Sequence, residues 1–130
     1  MQLSFERPDY QYALRSAGAT GARVNARWLS TSFAIAPDTL IEDWSVDGAT
    51  SMQASDLDAL LALAPELVLL GTGATQVFPP AAVLAACLQR GIGIEVMANA
   101  AAARTYAILA SEGRRVVAGF LFPPERPPVR

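Results

Sequence analysis

The chain has 130 residues, of which 52% are apolar, and a formal net charge of −2. This length predicts a single domain with a sizeable core, ordered over about residues 10–123 and ending in a loose proline-rich tail over 124–130. Acidic and basic residues are scattered along the chain, which argues against the clustered basic surface that binds nucleic acid, so nucleic acid is not an expected partner.

Two residue types that serve many enzymes are missing. The chain has no histidine, and all ten of its basic residues are arginine, so it has no lysine. These absences exclude a Ser-His-Asp triad, a histidine-ligated zinc ion, a Schiff-base lysine and the lysine of a phosphate-binding P-loop. We therefore expect no metal, no cofactor and no catalytic residue, and the balance is against an enzyme.

The sequence also bears on location. Residues 1–8 lack the basic leader and apolar block of a secretory signal. No run approaches the roughly 20 apolar residues that a transmembrane helix needs. The sole cysteine, Cys87, has no partner for an internal disulfide, which agrees with a reducing compartment. A cytoplasmic protein without a transmembrane segment is expected.

The first third of the chain predicts a β-meander. Apolar residues alternate in part over 10–14 and 22–35, and the glycine-containing segment 18–21 between them suits a turn. If the second of these segments is one regular strand, Val24 and Trp28 lie on the same face, and both tryptophans of the chain are expected to serve packing.

The middle of the chain predicts a helix followed by a buried strand. Ser55 is placed to cap the helix, and Leu57, Leu60 and Leu61 recur at helical spacing. The run 67–70 is apolar without alternation, as in a strand covered on both sides by helices. The turn Gly71-Thr72-Gly73 ends that strand.

Two further helix and strand pairs complete the chain. A second helix begins after Pro79-Pro80 and ends at Gly91. Asn99 is placed to cap a third helix over about 100–112. Buried strands are predicted over 92–97 and 116–122. The inward face of the second helix is expected to comprise Val83, Leu84, Cys87 and Leu88.

This order of elements predicts an α/β fold with a parallel portion, because a helical crossover normally returns the chain parallel to the preceding strand. The carboxyl ends of parallel strands form the crevice where such proteins bind ligands. The turn at residues 71–73 would lie there. It departs from the dinucleotide fingerprint G-x-G-x-x-G at Gln76, so a tight structural turn is favoured over a loop that contacts an anion.

Charged residues near that crevice have two interpretations each. Arg104, beside Tyr106 on the third helix, could bind a carboxylate or phosphate, and so could Arg114. The alternative for Arg114 is an ordinary surface ion pair, which we favour. Glu95 lies within an apolar strand, and if it is buried opposite Arg104 the pair could form an acid/base site, although structural pairing is commoner.

The ordered set of motifs resembles one family of small domains. The matching segments are Trp44, 65–73, 91–97, 103–106 and 112–116. In this order they resemble mitochondrial complex I assembly factor 3 and its uncharacterised bacterial relatives, over about residues 10–123. Two positions differ from the family pattern, which commonly has threonine in place of Asn99 and asparagine in place of Ala107.

The resemblance implies a three-layer α/β domain with a mixed central sheet whose last strand is antiparallel, flanked by helices and by the N-terminal β-meander. It implies no catalytic activity, since the mitochondrial members act through protein contacts. The leading hypothesis is thus a non-enzymatic interaction or assembly module with an unidentified protein partner. The rival is a protein that binds a small anion or nucleotide beside the glycine turn, and homo-oligomerisation is a third. Candidate contact residues are Gly71, Thr72, Gly73, Glu95, Asn99, Arg104, Tyr106 and Arg114.

Overall fold

The computed structural model describes residues 10–124. The tail predicted for 124–130 therefore lies, apart from Pro124, outside the described residues. The first three strands form a small antiparallel sheet in the order β1-β2-β3, which confirms the predicted β-meander. These strands are β1 (Leu14–Ala17), β2 (Ala22–Val24) and β3 (Arg27–Leu29).

The expectation that Val24 and Trp28 share a face is wrong. Asn25 has a φ of +53°, a value typical of a tight turn, and the chain reverses there from β2 into β3. Trp28 consequently pairs with Arg23 on the solvent side and is 54% exposed, whereas Val24 is buried. Trp44, by contrast, is buried as expected.

Five strands form the main sheet, in the order β5-β4-β8-β6-β7. Strand β6 is parallel to both of its neighbours, β7 and β8, whereas β4 is antiparallel to β5 and to β8. The predicted mixed sheet is confirmed. Its strands are β4 (Phe33–Ala36), β5 (Thr39–Ile41), β6 (Leu67–Gly71), β7 (Gly93–Met97) and β8 (Val116–Phe120).

The orientation of the last strand combines both expectations. Strand β8 is antiparallel to β4, as the family resemblance implies, but it is parallel to β6, as the crossover rule requires. An antiparallel last strand is therefore the correct description only of its pairing with β4.

The helices cover both faces of the main sheet. They are α1 (Asp58–Leu61), which continues a 3-10 turn over Ala54–Leu57, then α2 (Ala81–Leu88) and α3 (Asn99–Ser111); a further 3-10 turn spans Ala49–Ser51. The crossover through α2 leads from β6 to β7, and the crossover through α3 leads back across the sheet to β8. Two connections of the same hand that run in opposite directions must use opposite faces, so α2 and α3 lie on opposite sides.

Each face of the sheet has its own core. On the side of α1 and α2, Trp44, Val83 and Cys87 pack against Val68. On the side of α3, the helix and the small sheet together cover Phe33 and Phe120, whose rings stack with centroids 5.3 Å apart. The result is a three-layer arrangement.

Two local predictions on the helices are wrong. The first turn before α1 begins at Ala54, and its fixed contact is the Gln53 N–H donating to the Asp56 carboxylate at 2.7 Å, so Ser55 is not the cap. In α2, Val83 and Cys87 face the core as predicted, but Leu88 is 64% exposed. The remaining predicted inward residue, Leu84, is half-buried.

Candidate functional site

The glycine turn is joined to the start of α3 by a reciprocal pair of hydrogen bonds. The backbone N–H of Gly73 donates to Oδ1 of Asn99 at 3.0 Å, and the backbone N–H of Asn99 donates to the Gly73 carbonyl at 2.8 Å. The backbone N–H and the carbonyl of Gly73 are therefore both hydrogen-bonded within the protein.

The same Asn99 side chain connects two more segments. Its Nδ2 donates to the carbonyl oxygens of Gly18 and Leu121, both at 2.9 Å. Asn99 has no exposed surface, and it occupies the first position of α3 after Ala98. The prediction that it caps the helix is wrong, because its amide points into the protein and joins the turn, the small sheet and the end of β8.

Thr72 fastens the loop that follows the turn. Its hydroxyl donates to the Thr75 carbonyl at 2.7 Å and accepts from the backbone N–H of Val77 at 2.9 Å. Its own backbone N–H donates to the Met97 carbonyl at 2.9 Å. Because Thr72 is buried, these bonds fix the loop from inside rather than presenting the hydroxyl to solvent.

The glycines of the turn are required by packing. A side chain on Gly71 would collide with Oδ1 of Asn99 and with the ring of Phe120. Gly73 has a φ of +113°, which L residues rarely adopt, and Pro123 lies 3.1 Å from the position of a Cβ atom there. These contacts favour the structural interpretation of the turn, and any ligand there remains a hypothesis.

Glu95 and Arg104 do not form the acid/base pair that a buried Glu95 would permit. Glu95 is exposed on the edge strand β7, and the ion pairs within residues 10–124 are Arg27 with Glu42 and Arg114 with Glu66. Arg104 is exposed and lines a small groove of about 310 Å³ between α3 and β1. The structure thus separates these two candidates.

Tyr106 lies on the inner face of α3, in the core. It has no exposed surface, and its hydroxyl has no hydrogen-bond partner among the described residues. Burial raises the pKa of this hydroxyl far above its usual value, and the neighbouring Tyr10 and Asp38 raise the pKa further. A buried hydroxyl without a partner is uncommon and calls for an explanation.

A cavity of about 610 Å³ lies at the opposite end of the sheet from the glycine turn. Its walls are the end of α3 with the start of β8, the turn between β4 and β5, and the segment before β6. Of the predicted site residues, only Arg114 lines it. Sequence reasoning missed this cavity because it lies at the amino ends of the parallel strands, where ligand sites are not the rule.

Two arginines at the cavity are held in place through their Nε atoms. Nε of Arg114 donates to Oε1 of Glu66 at 3.1 Å, and Nε of Arg115 donates to the Ala64 carbonyl at 3.2 Å. Hydrogen bonds from the Arg114 side chain and from the Arg115 backbone lower the pKa of the Glu66 carboxyl. The surface ion pair favoured for Arg114 is formed, and it leaves the terminal guanidinium nitrogens for other partners.

The described residues form neither a metal cluster nor a membrane-spanning helix. Within residues 10–124 there is no group of three or more acidic or cysteine side chains placed to hold a metal ion. None of the described helices has the length and apolar character needed to cross a membrane.

Known proteins with this architecture come from several bacteria. An NMR structure of a Xanthomonas campestris protein is 54% identical with a TM-score of 0.80, over 94% of this chain and 92% of that one. A Bordetella pertussis protein, described as a Mth938-like domain, is 30% identical with a TM-score of 0.78, over 93% of this chain and 92% of that one. The fold is therefore the Mth938-like α/β fold.

The family follows from the sequence match. The chain belongs to the family described as "Protein of unknown function (DUF498/DUF598)", whose model matches residues 14–121. A curated relative, the "13 kDa major membrane protein" of Francisella tularensis subsp. holarctica (strain LVS), is 37% identical over 71 residues. That match spans 55% of this chain and 58% of the relative. The predicted kinship with uncharacterised bacterial proteins is thus confirmed at the level of the family.

Proposed function

We propose that this protein is a non-enzymatic interaction module of the assembly-factor type, and that it binds a protein partner through the outer face of α2 and the adjoining edge of the sheet. The observation that carries this proposal is the composition of α2. All eight residues of Ala81–Leu88 are apolar, although the helix lies at the surface.

The outer face of α2 is a continuous apolar stripe. Ala81, Leu84, Ala85 and Leu88 follow each other at helical spacing and are exposed or half-buried, while Val83 and Cys87 supply the inner face. A helix that is apolar on all sides is normally buried, and an exposed apolar patch of this kind is typical of interaction sites. Phe78, which precedes the helix, is also exposed and extends the apolar surface at its start.

The free edge of β7 adjoins this face. The backbone N–H of Gly93 donates to the Glu66 carbonyl, so in a regular strand the backbone groups of Ile94 and Val96 point away from β6. The Val96 carbonyl accepts a hydrogen bond from Nε2 of Gln76 at 2.8 Å. The unpaired groups at Ile94 can accept hydrogen bonds from, and donate them to, a partner strand.

The family supports the same proposal more loosely. The resemblance to mitochondrial complex I assembly factor 3, whose members act through protein contacts, favours an assembly role. We infer a cytoplasmic location for this chain. The membrane-protein name of the Francisella relative suggests the alternative that the partner is at a membrane.

The experiment is affinity purification from native cells with two matched variants. Leu88→Glu puts a charge on the proposed face, and Ile108→Glu puts the same charge on α3, where the side chain is similarly exposed at 57%. We expect a specific partner to be lost with Leu88→Glu and kept with Ile108→Glu. Recovery of no specific partner under gentle conditions, or equal loss with both variants, would contradict the proposal.

Homo-oligomerisation is resolved by the same variants. Light scattering of the purified protein at high concentration gives its mass directly. A dimer that Leu88→Glu converts to monomer would identify the partner as a second copy of this chain, whereas a monomer leaves a different protein as the partner.

A further inference from the structure

The cavity at the amino ends of the parallel strands carries opposite charges on different walls. Arg114 and Arg115 line one wall, and Asp38 lines another, at the turn between β4 and β5. No ion pair joins Asp38 to either arginine within the described residues. A ligand with one charge would meet attraction on one wall and repulsion on the other, whereas a ligand with both charges would be attracted by both.

Part of the cavity lining is apolar. Leu63, Pro65 and Val117 line the cavity, together with the small side chain of Ala110 on α3. The volume of about 610 Å³ is within the usual range for a small-molecule site. Because Asp38, Arg114 and Arg115 are all exposed, the cavity is open to solvent on the charged side.

We propose that this cavity binds a short apolar peptide with free termini, two to three residues long. The peptide carboxylate binds the terminal nitrogens of Arg114 and Arg115, and its ammonium group binds Asp38. A sphere of 610 Å³ is about 10 Å across, and two to three residues of extended chain span about 7 to 10 Å. A peptide of this length therefore matches the width of the cavity.

The arginines are suited to this role because they are already positioned. The Nε atoms are held by Glu66 and by the Ala64 carbonyl, so each guanidinium loses less freedom when its terminal nitrogens bind a carboxylate. A planar guanidinium matches the two oxygens of a carboxylate.

The test uses the dipeptide Leu-Leu and two singly capped forms. Amide chemical shifts of the full chain are followed during titration with Leu-Leu, N-acetyl-Leu-Leu and Leu-Leu amide. We expect Leu-Leu to bind with a dissociation constant of about 0.1 to 1 mM. Each capped form, which lacks one charge, should bind about tenfold more weakly. No binding of Leu-Leu, or equal binding of all three peptides, would overturn the proposal.

Charge variants assign each terminus to its wall. Asp38→Asn should weaken Leu-Leu about tenfold and leave N-acetyl-Leu-Leu unchanged, since that peptide has no ammonium group. Arg114→Gln with Arg115→Gln should weaken Leu-Leu and leave Leu-Leu amide unchanged. Arg23→Gln, an exposed arginine on the small sheet, removes the same charge elsewhere and should have no effect. Equal weakening by Arg23→Gln would contradict a specific site.

Discussion

At the scale of single residues, Asn99 is the side chain on which the most connections depend. Its amide joins the Gly73 peptide, the Gly18 carbonyl and the Leu121 carbonyl in a fully buried position. Among small side chains, only the asparagine amide supplies one acceptor and two donors. The turn, the small sheet and the end of β8 therefore share one hydrogen-bonding residue.

Asn99→Ala should destabilise the fold strongly. It leaves the Gly73 N–H and the Leu121 carbonyl buried without partners, and each such group costs about 1–3 kcal/mol. The half-buried Gly18 carbonyl loses its hydrogen bond as well. We expect the free energy of unfolding to fall by about 3 kcal/mol, which lowers Tm by about 10 °C for a domain of this size. Urea unfolding measures the change. Gln89→Ala, at an exposed position, is the control, and an Asn99→Ala variant as stable as this control would contradict the account.

Tyr106 makes the stability of the fold vary with pH in the alkaline range. Its pKa is raised in the folded state, so the folded protein keeps the hydroxyl proton at a pH where the unfolded chain, with an ordinary tyrosine pKa of about 10, releases it. The free energy of unfolding is not reduced by this group below about pH 10, where the hydroxyl is protonated in both states. It falls as the pH rises above that value, because the unfolded chain loses the proton first. We expect a steeper loss of stability above pH 10 in the original protein than in Tyr106→Phe. Parallel pH profiles for the two proteins, measured by urea unfolding, would show that the hydroxyl is not responsible.

The sequence identified Asn99 and Tyr106 as candidates but not their roles. Asn99 at the start of a helix has the appearance of a cap, because the local pattern does not reveal that three distant segments converge on its amide. Tyr106 is a candidate contact on the third helix, and nothing local reveals that it is buried or that its hydroxyl lacks a partner within the described residues. Both outcomes depend on contacts between segments far apart in the chain.

At the scale of elements, strand β8 shows how closely its neighbours are packed. Gly119 lies beneath the ring of Trp44, and a Cβ atom there would be 2.5 Å from that ring. The ring cannot move aside freely, because Nε1 of Trp44 donates to the Asp56 carbonyl at 2.8 Å. The long loop that carries Trp44 is thus fitted to one position of the strand.

Gly119→Ala should cost about 1–3 kcal/mol through overpacking of this contact. Gly18→Ala is the matched change, since nothing lies within 4 Å of the added carbon and its φ is not in the left-handed range. That variant should be neutral or slightly stabilising, because alanine restricts the unfolded chain. Thermal unfolding of both variants tests the account, which is contradicted if Gly119→Ala is as stable as Gly18→Ala.

Helical periodicity predicted the second helix and its start but not its full orientation. Leu88 occurs at the spacing of the inner residues, yet it faces solvent because Val83 and Cys87 already complete the inner face. In a helix without any charged residue, the pattern alone does not distinguish the inner side from the outer side. The exposed side of α2 is therefore a finding of the structure, and it supports the proposed interaction.

At the scale of the whole molecule, the order of elements was sufficient to predict most of the fold. The parallel pairing of β6 with β7 and β8 follows from the helical crossovers, and the N-terminal meander follows from its glycine-containing turn. The sequence did not predict that β4 and β5 join the main sheet, because nothing local distinguishes them from the first three strands. The single-domain organisation stays a prediction.

The two ends and the two faces of the sheet have different properties. The carboxyl end is closed by Asn99 and the Thr72 loop, while the amino end contains the cavity. The face of α3 is shared with the small sheet, while the outer side of α2 is uncovered within the described residues. The proposed functions follow this division, with the protein partner on α2 and the small ligand at the amino end.

The most direct test of the interaction proposal is photo-crosslinking in native cells from position 88. A photoreactive phenylalanine analogue replaces Leu88 in one protein and Ile108 in another, two positions of similar exposure. We predict one discrete adduct from position 88, which disappears when Ala81→Glu adds a charge to the same stripe, and none from position 108. No adduct from position 88, or the same adducts from both positions, would contradict the proposal that this face binds a partner.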